Sequence, residues 1–441
     1  MSPDVRSWHF GVLSFTGTGH LNPLIALGQE LTRRGHRATF FERPKIRQRV
    51  EEAGLGFVPI CADRSMQSRK PQEPRAGLWE ELAMLRFNLQ RVTQDVERYL
   101  RQTPGALQCA GVDALIVNEI ALTGPTLAQM LRLPYFIVST SVPHKCGWSD
   151  YPWYCGYRFM RSPVDIPARA LLEVSATRVR GPIRSALDRH RKSAGLEPVN
   201  TMQRSYPPLA QITQLPQCLD FPENRLPENC HYTGPFVSRD ARASVEFPWE
   251  RLDERPIAYV SLGTTRNAQG KILRLVARAC QGLDLQLVIS LGGRLAPELF
   301  ADLAGSPLVV SFAPQLELLQ RARIVITHGG ANTVFEALME GKPMVAIPLA
   351  HDQPAIAARA ARAGAARVLP VMRLSAQRVR TAVAAVLADP AYRDAAVALQ
   401  KQLRAARGTE CAATILEAAL QRHAKLNDSR AMAPGAVKGA A

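Results

Sequence analysis

The stretch THGGANTVFEALMEGKPMVAIPLAHDQP, Thr327 to Pro354, decides how this chain is read. Just before it and into its first residue runs IVIT, the short apolar run of a buried strand. Within it, ANTVFEALMEG has helical spacing and PMVAIPL is a second buried run. Strand, glycine turn, helix and strand in this length mean a parallel pair joined by a crossover helix. In such sheets ligands gather beyond the carboxyl ends of the strands, where loops turn into helices. That point here is His328-Gly329-Gly330, followed by Asn332 and Thr333. A helix N-terminus offers free N–H groups and a partial positive charge, and glycine lets an anion approach the backbone. A diphosphate is the best-matched ligand, with His328, Gly330, Asn332 and Thr333 around it; the bland use of Asn or Thr here is to cap the helix. Glu336, one turn beyond Asn332 on the same face, can accept both hydroxyls of a ribose, or can be an ordinary solvated glutamate. Asp352-Gln353 suits a polyhydroxyl sugar, one side chain accepting and the other doing both. It also suits a helix start with Pro354 in the first turn.

Outward from this stretch the same alternation recurs. FGVLSF, RATFFE, DALIVNEI and PYFIVST read as strands, with TGTGHLNP as a loop and LIALGQELTRRGH and TGPTLAQMLRL as helices. From about Ser141 to Ser205 the alternation lapses into the aromatic run CGWSDYPWYCGYRFM and a basic helical stretch. The proline-rich segment FPENRLPENCHYTGPFVSRDARASVEFPWERLDERP reads as a connection. At IAYVSLGTT the pattern restarts, with LQLVISLG, LVVSFAP and IVIT as further strands. The expected architecture is α/β: two Rossmann-like domains facing across a cleft. Residues 1–215 form the first, 216–250 a linker, 251–405 the second, 406–425 a C-terminal helix and 426–441 a disordered tail.

A chain of 441 residues suits two domains. No run reaches the apolar length of a membrane helix, and the N-terminus lacks a basic region followed by an apolar one, which points to the cytoplasm. The eight cysteines are scattered without a CxxC, against a zinc site or a disulfide framework. A net charge of +17 suits nucleic acid, an anionic membrane face or an anionic substrate. No nucleic-acid motif is present. The densest basic run, Arg178 to Gly195, is either a solvated helix face or a peripheral contact with the inner membrane face.

In the first half, His20 follows strand one in GTGHLNP. An imidazole there can take a proton from a hydroxyl at neutral pH, or simply cap a helix. As a base it needs a carboxylate to orient it, and Glu119 ends the run ALIVNE. Thr264, after SLG, can donate to the same group as Gly330.

These residues resemble the UDP-glycosyltransferases, and FAPQLELLQRARIVITHGGANTVFEALMEGKPMVAIPLAHDQ, Phe312 to Gln353, matches that family's donor signature nearly without gaps. PLAQITQLPQCLDFP, SLGT and ITHGGANTV most resemble its bacterial carotenoid (zeaxanthin) glucosyltransferases. The resemblance implies the two-Rossmann GT-B fold and inverting transfer of a hexose, glucose by analogy at Gln353, from a UDP-sugar co-substrate. It implies no cofactor and no metal. It implies His20 as general base beside Gly19, with Ala313 and Gln315 on the uracil. Phe312 stands where many relatives stack a tryptophan. His328, Gly330, Asn332 and Thr333 fall on the diphosphate, Glu336 on the ribose, and Asp352 and Gln353 on the sugar. Many relatives end the ALIVNE strand with an aspartate; here Asn118 and Glu119 share that place, and Glu119 is read as the partner of His20.

The acceptor is expected to be apolar with a hydroxyl, because Trp148, Trp153 and Tyr154 lie in the aromatic run; packing of an irregular loop explains that run equally well. A carotenoid diol fits, as do a polyketide, a flavonoid or a sterol. Two other classes compete. GTGHLN is one residue from a dinucleotide fingerprint, with Glu42 ending the second strand, which would suit an oxidoreductase. A non-catalytic sugar-nucleotide binder is the other.

Overall fold

The computed structural model describes residues 6–61, 78–143, 181–199, 206–222, 226–242, 245–263, 269–293 and 295–432. Short apolar runs form its strands, and most are buried throughout, as in Ala114–Asn118 and Ile257–Ser261. Such strands suit parallel sheets covered on both faces by helices.

The first sheet holds β1 (His9–Leu13), β2 (Arg37–Glu42), β3 (Gly56–Pro59), β4 (Ala114–Asn118), β5 (Tyr135–Ser139), β6 (Ala210–Thr213) and β7 (Cys230–Tyr232). Their order is β3-β2-β1-β4-β5-β6-β7. The second holds β8 (Ile257–Ser261), β9 (Gln286–Ser290), β10 (Leu308–Val310), β11 (Ala322–Thr327), β12 (Met344–Ala346) and β13 (Ala366–Val368), in the order β10-β9-β8-β11-β12-β13. All pairings are parallel. In each sheet the chain leaves a central strand to one side and then returns to build the other, so β1/β4 and β8/β11 are the topological switch points.

Three expectations change. TGTGHLNP is not a free loop: the helix Thr18–Arg33 starts within it, with Gly17 as N-cap, and carries His20 in its first turn and Pro23 in its interior. The stretch 216–250 is not only a connection. Its residues Cys230–Tyr232 pair with β6 as the edge of the first sheet, a three-residue strand too short to show a period. Finally, the C-terminal helix runs from Gly408 to Met432, past the expected end at 425 and into the expected tail. It returns to the first half, where Ala412, Ala413, Leu416, Ala419 and Leu420 join the core of β1, β2 and the helix Thr18–Arg33. Arg34 and His36 both reach Glu417, at 2.8 and 2.9 Å. A buried ion pair, Arg359 to Asp220 at 2.7 Å, ties the second half to the segment after β6. Among the described residues no helix is long and apolar enough to cross a membrane.

Of the basic run, the helix Gly181–Ser193 buries Ile183, Ala186 and Leu187 and leaves Arg184, Arg189 and Lys192 exposed. Arg191 is wholly buried and holds the Glu197 carbonyl, Thr126 and Gln129.

Candidate functional site

The two switch points meet. The Asn332 amide Nδ2, at the start of the helix after β11, donates to the Gly19 carbonyl at 3.1 Å, one residue before His20. Its Oδ1 accepts from Gln214 Nε2 at 2.9 Å, just beyond β6. Ser141, beyond β5, donates to Asp352 Oδ2. The carboxyl ends of the two sheets therefore face one another.

On the first side, His20 Nδ1 lies 2.7 Å from Thr140 Oγ1, and the exposed Phe15 ring stands edge-on to the imidazole at 5.7 Å. With Nδ1 donating to Thr140, Nε2 carries the lone pair that a base requires. Glu119 is half-buried at the end of β4 and accepts from Ser139 Oγ at 2.5 Å and from Gln211 Nε2 at 3.4 Å. Asn118 is buried and its Oδ1 accepts from the Ile120 N–H. Thr140 was not singled out in the sequence; its signal was only that it directly follows the strand beside β4.

On the second side, the helix Ala331–Met339 has Gly330 as N-cap in extended backbone (φ −64°, ψ 138°), and no side chain caps it. Among the described residues no side chain accepts from its first N–H groups, as an anion site requires. Gly329 sits at φ +80°, and a Cβ there would meet the Gln353 carbonyl at 3.0 Å. The His328 ring packs between Gly263 and Gly330, where an added Cβ would come within 2.6 and 2.5 Å of Nε2. Burial pushes His328 below the usual imidazole pKa; the Ser261 carbonyl and Asp352 only partly oppose this. Thr333 is buried, while the Asn332 amide is turned to Gly19 and Gln214.

Further along the same helix, Glu336 is 2% exposed. Gln315 donates to its Oε2 at 2.6 Å, and Tyr259 in turn donates to Gln315 Oε1 at 3.1 Å. The pair expected to hold uracil and ribose is thus assembled by β8 and the start of the helix Gln315–Arg321. Arg242 donates to Glu336 Oε1, a partner that sequence spacing did not suggest. Phe312 is 52% exposed and its ring covers Gly293, while Ala313 packs half-buried against the second core. Asp352 N-caps the helix Gln353–Arg362 by its backbone alone. Gln353 is buried and its Oε1 accepts from the Leu349 and Ala350 N–H groups at 2.8 and 2.9 Å, which shapes the loop after β12. Thr264, Trp148, Trp153 and Tyr154 lie outside the described residues.

The structure thus brings the imidazole of His20 and the N-terminus of the helix Ala331–Met339 to the same meeting of the two sheets. The family model described as UDP-glucoronosyl and UDP-glucosyl transferase matches residues 200–406, and that of the glycosyltransferase family 28 N-terminal domain matches residues 12–142. The zeaxanthin glucosyltransferase of Pseudescherichia vulneris is 30% identical over 93% of this chain and 98% of its own length. That of Pantoea ananas is 28% identical over 93% and 95%. Among solved structures, the glycotransferase of kitacinnamycin superposes with a TM-score of 0.72 over 94% of this chain and 99% of its own, at 23% identity. Two parallel sheets, a facing pair of switch points and relatives matched along nearly their whole length lead to one statement: the chain belongs to the UDP-glycosyltransferase family, with the GT-B fold, and transfers sugars from nucleotide-sugar donors.

Proposed function

We propose that this chain is an inverting glucosyltransferase that moves glucose from UDP-glucose to a hydroxyl of a hydrophobic acceptor of the carotenoid-diol type. The observation that carries the reading is the hydrogen bond from Asn332 to Gly19, which sets the uncapped helix N-terminus at Ala331 opposite His20. His20 Nε2 takes the acceptor proton, with Nδ1 held by Thr140. The acceptor oxygen attacks the anomeric carbon as the bond to UDP breaks, so the configuration inverts. The charge that develops on the leaving diphosphate meets the free N–H groups and partial positive charge of the helix Ala331–Met339. Phe312 stacks on the uracil and Gln315 holds its edge, Glu336 accepts from the ribose hydroxyls, and Asp352 with Gln353 faces the hexose. Glu119, the acid read as orienting His20, accepts from Ser139, the neighbour of Thr140 in the chain. The UDP-sugar is consumed as a co-substrate and no further cofactor is assigned.

The acceptor class rests on the two zeaxanthin glucosyltransferase relatives and on the aromatic run in the sequence. The test is incubation with UDP-glucose or TDP-glucose and a panel of zeaxanthin, a polyketide aglycone, a flavonoid and a sterol, read by mass spectrometry. Addition of hexose to zeaxanthin from UDP-glucose is expected. Transfer confined to another acceptor, or to TDP-glucose, would replace that part of the reading.

A further inference from the structure

Arg242 is a charged residue beside Glu336 for which the reaction above has no use. It lies between the two sheets, on a turn closed by its own N–H to the Arg239 carbonyl at 3.0 Å. Its guanidinium holds Glu336 Oε1 while Gln315 holds Oε2 at 2.6 Å, so both oxygens of a nearly inaccessible carboxylate are engaged. A ribose diol that binds Glu336 has to take over one of them. Gln315 is fixed by Tyr259 on the second sheet, whereas the Arg242 side chain is 24% exposed and reaches in from a turn. Arg242 is the partner that yields.

A guanidinium displaced inside a cleft needs a new anionic partner, because an unpaired charge there is costly. A second guanidinium is close by. Arg49 donates to Asn22 Oδ1, two residues beyond His20, and its Nε is buried with no hydrogen-bond partner. Burial, and then the charge of Arg242, hold Arg49 below the usual guanidinium pKa. A diphosphate supplies the missing negative charge for both. The distance is within reach: Glu336 lies five residues past Ala331, about 7.5 Å along the helix axis at 1.5 Å per residue.

Resting on the reading of Glu336 as the ribose acceptor, we propose that Arg242 couples ribose recognition to diphosphate recognition. The ribose takes Glu336 Oε1, and the guanidinium it displaces joins Arg49 on the donor's diphosphate. The consequence is selection for a complete nucleoside diphosphate: a nucleoside alone must evict Arg242 and gives it nothing in return.

The test is calorimetric titration of the full chain and its Arg242→Ala, Arg242→Gln and Glu336→Gln variants with uridine and with UDP. Both Arg242 variants should bind UDP about tenfold or more weakly, the loss of a charge-assisted hydrogen bond, yet bind uridine at least as tightly as the unaltered chain. Unchanged UDP affinity would overturn the coupling, and so would an equal loss for uridine and UDP. Glu336→Gln should weaken uridine binding. If it does not, the ribose reading fails by itself, whatever the Arg242 variants do.

Discussion

The Asn332 side-chain amide fills the place of a hydrogen bond that Pro23 cannot make. In the helix Thr18–Arg33 the Gly19 carbonyl would accept from the N–H four residues on, but residue 23 is proline and has none. Asn332 Nδ2 donates to that carbonyl instead, at 3.1 Å from 313 residues away. The GTGHLNP motif thus leaves an acceptor beside the base, and the second sheet supplies its donor.

Removing this contact should loosen the two walls without unfolding either. Asn332→Ala is expected to lower kcat/KM by roughly threefold to tenfold, the range of a net neutral hydrogen bond. Pro23→Ala restores a competing N–H for Gly19 and should lower it too. Because both act on one carbonyl, the double variant should lose less than the sum of the singles. Steady-state kinetics of the three variants measure this, and strictly additive losses would reject the link.

Phe312 is half exposed over Gly293, so changing it opens no core cavity. If its ring stacks on the base, Phe312→Ala should weaken UDP binding by about 0.5–1.5 kcal/mol and Phe312→Trp should strengthen it. Equal UDP affinities by calorimetry in all three chains would remove Phe312 from the donor site.

Glu42 ends β2 buried, with the Tyr99 hydroxyl and the Arg43 N–H donating to it. Burial raises its pKa, and these donors only partly offset that. A carboxyl raised in the folded state stabilises the fold in acid, and that contribution is lost as pH rises through the folded pKa. Glu42→Gln keeps the neutral form at every pH. It should raise the melting temperature at pH 7 by roughly 2 °C, for a gain of about 1 kcal/mol, and by less at pH 4. A lower melting temperature at pH 7 would mean that the charged form is the stabilising one.

His328 works in the opposite direction. Its pKa is lowered by burial, so the unfolded chain takes up a proton first as pH falls below the ordinary imidazole value of 6.5. Its contribution is fully present above that pH and is lost as pH drops towards the folded pKa. Thermal melts between pH 7 and pH 5 should show a shallower fall for His328→Gln than for the unaltered chain. Parallel curves would contradict this.

Much of the architecture was legible because the central strands are buried runs, unbroken in β1, β4 and β8 and broken in β11 only by the exposed Arg323, each followed by a glycine or a polar turn. The switch points follow from that order, and His20, His328 and Gly330 fall on them. β6, β7 and β13 have three or four residues and show no period of their own. The C-terminal helix carries an alanine-rich face that says it is buried but not against what; Arg34 and His36, far back in the chain, supply the answer. For the same reason Thr140, Gln214 and Arg242 were missed. Each earns its place by a side chain that reaches a residue 94 or more positions distant. Asn332 shows the reverse: a motif residue expected on the diphosphate spends its amide on the opposite wall.

The most direct test of the central claim separates proton removal from donor binding at His20. The full chain and its His20→Ala variant are compared for hexose transfer from UDP-glucose and for UDP affinity. Loss of transfer with UDP affinity nearly unchanged is the predicted result. Undiminished transfer by the variant would contradict the account.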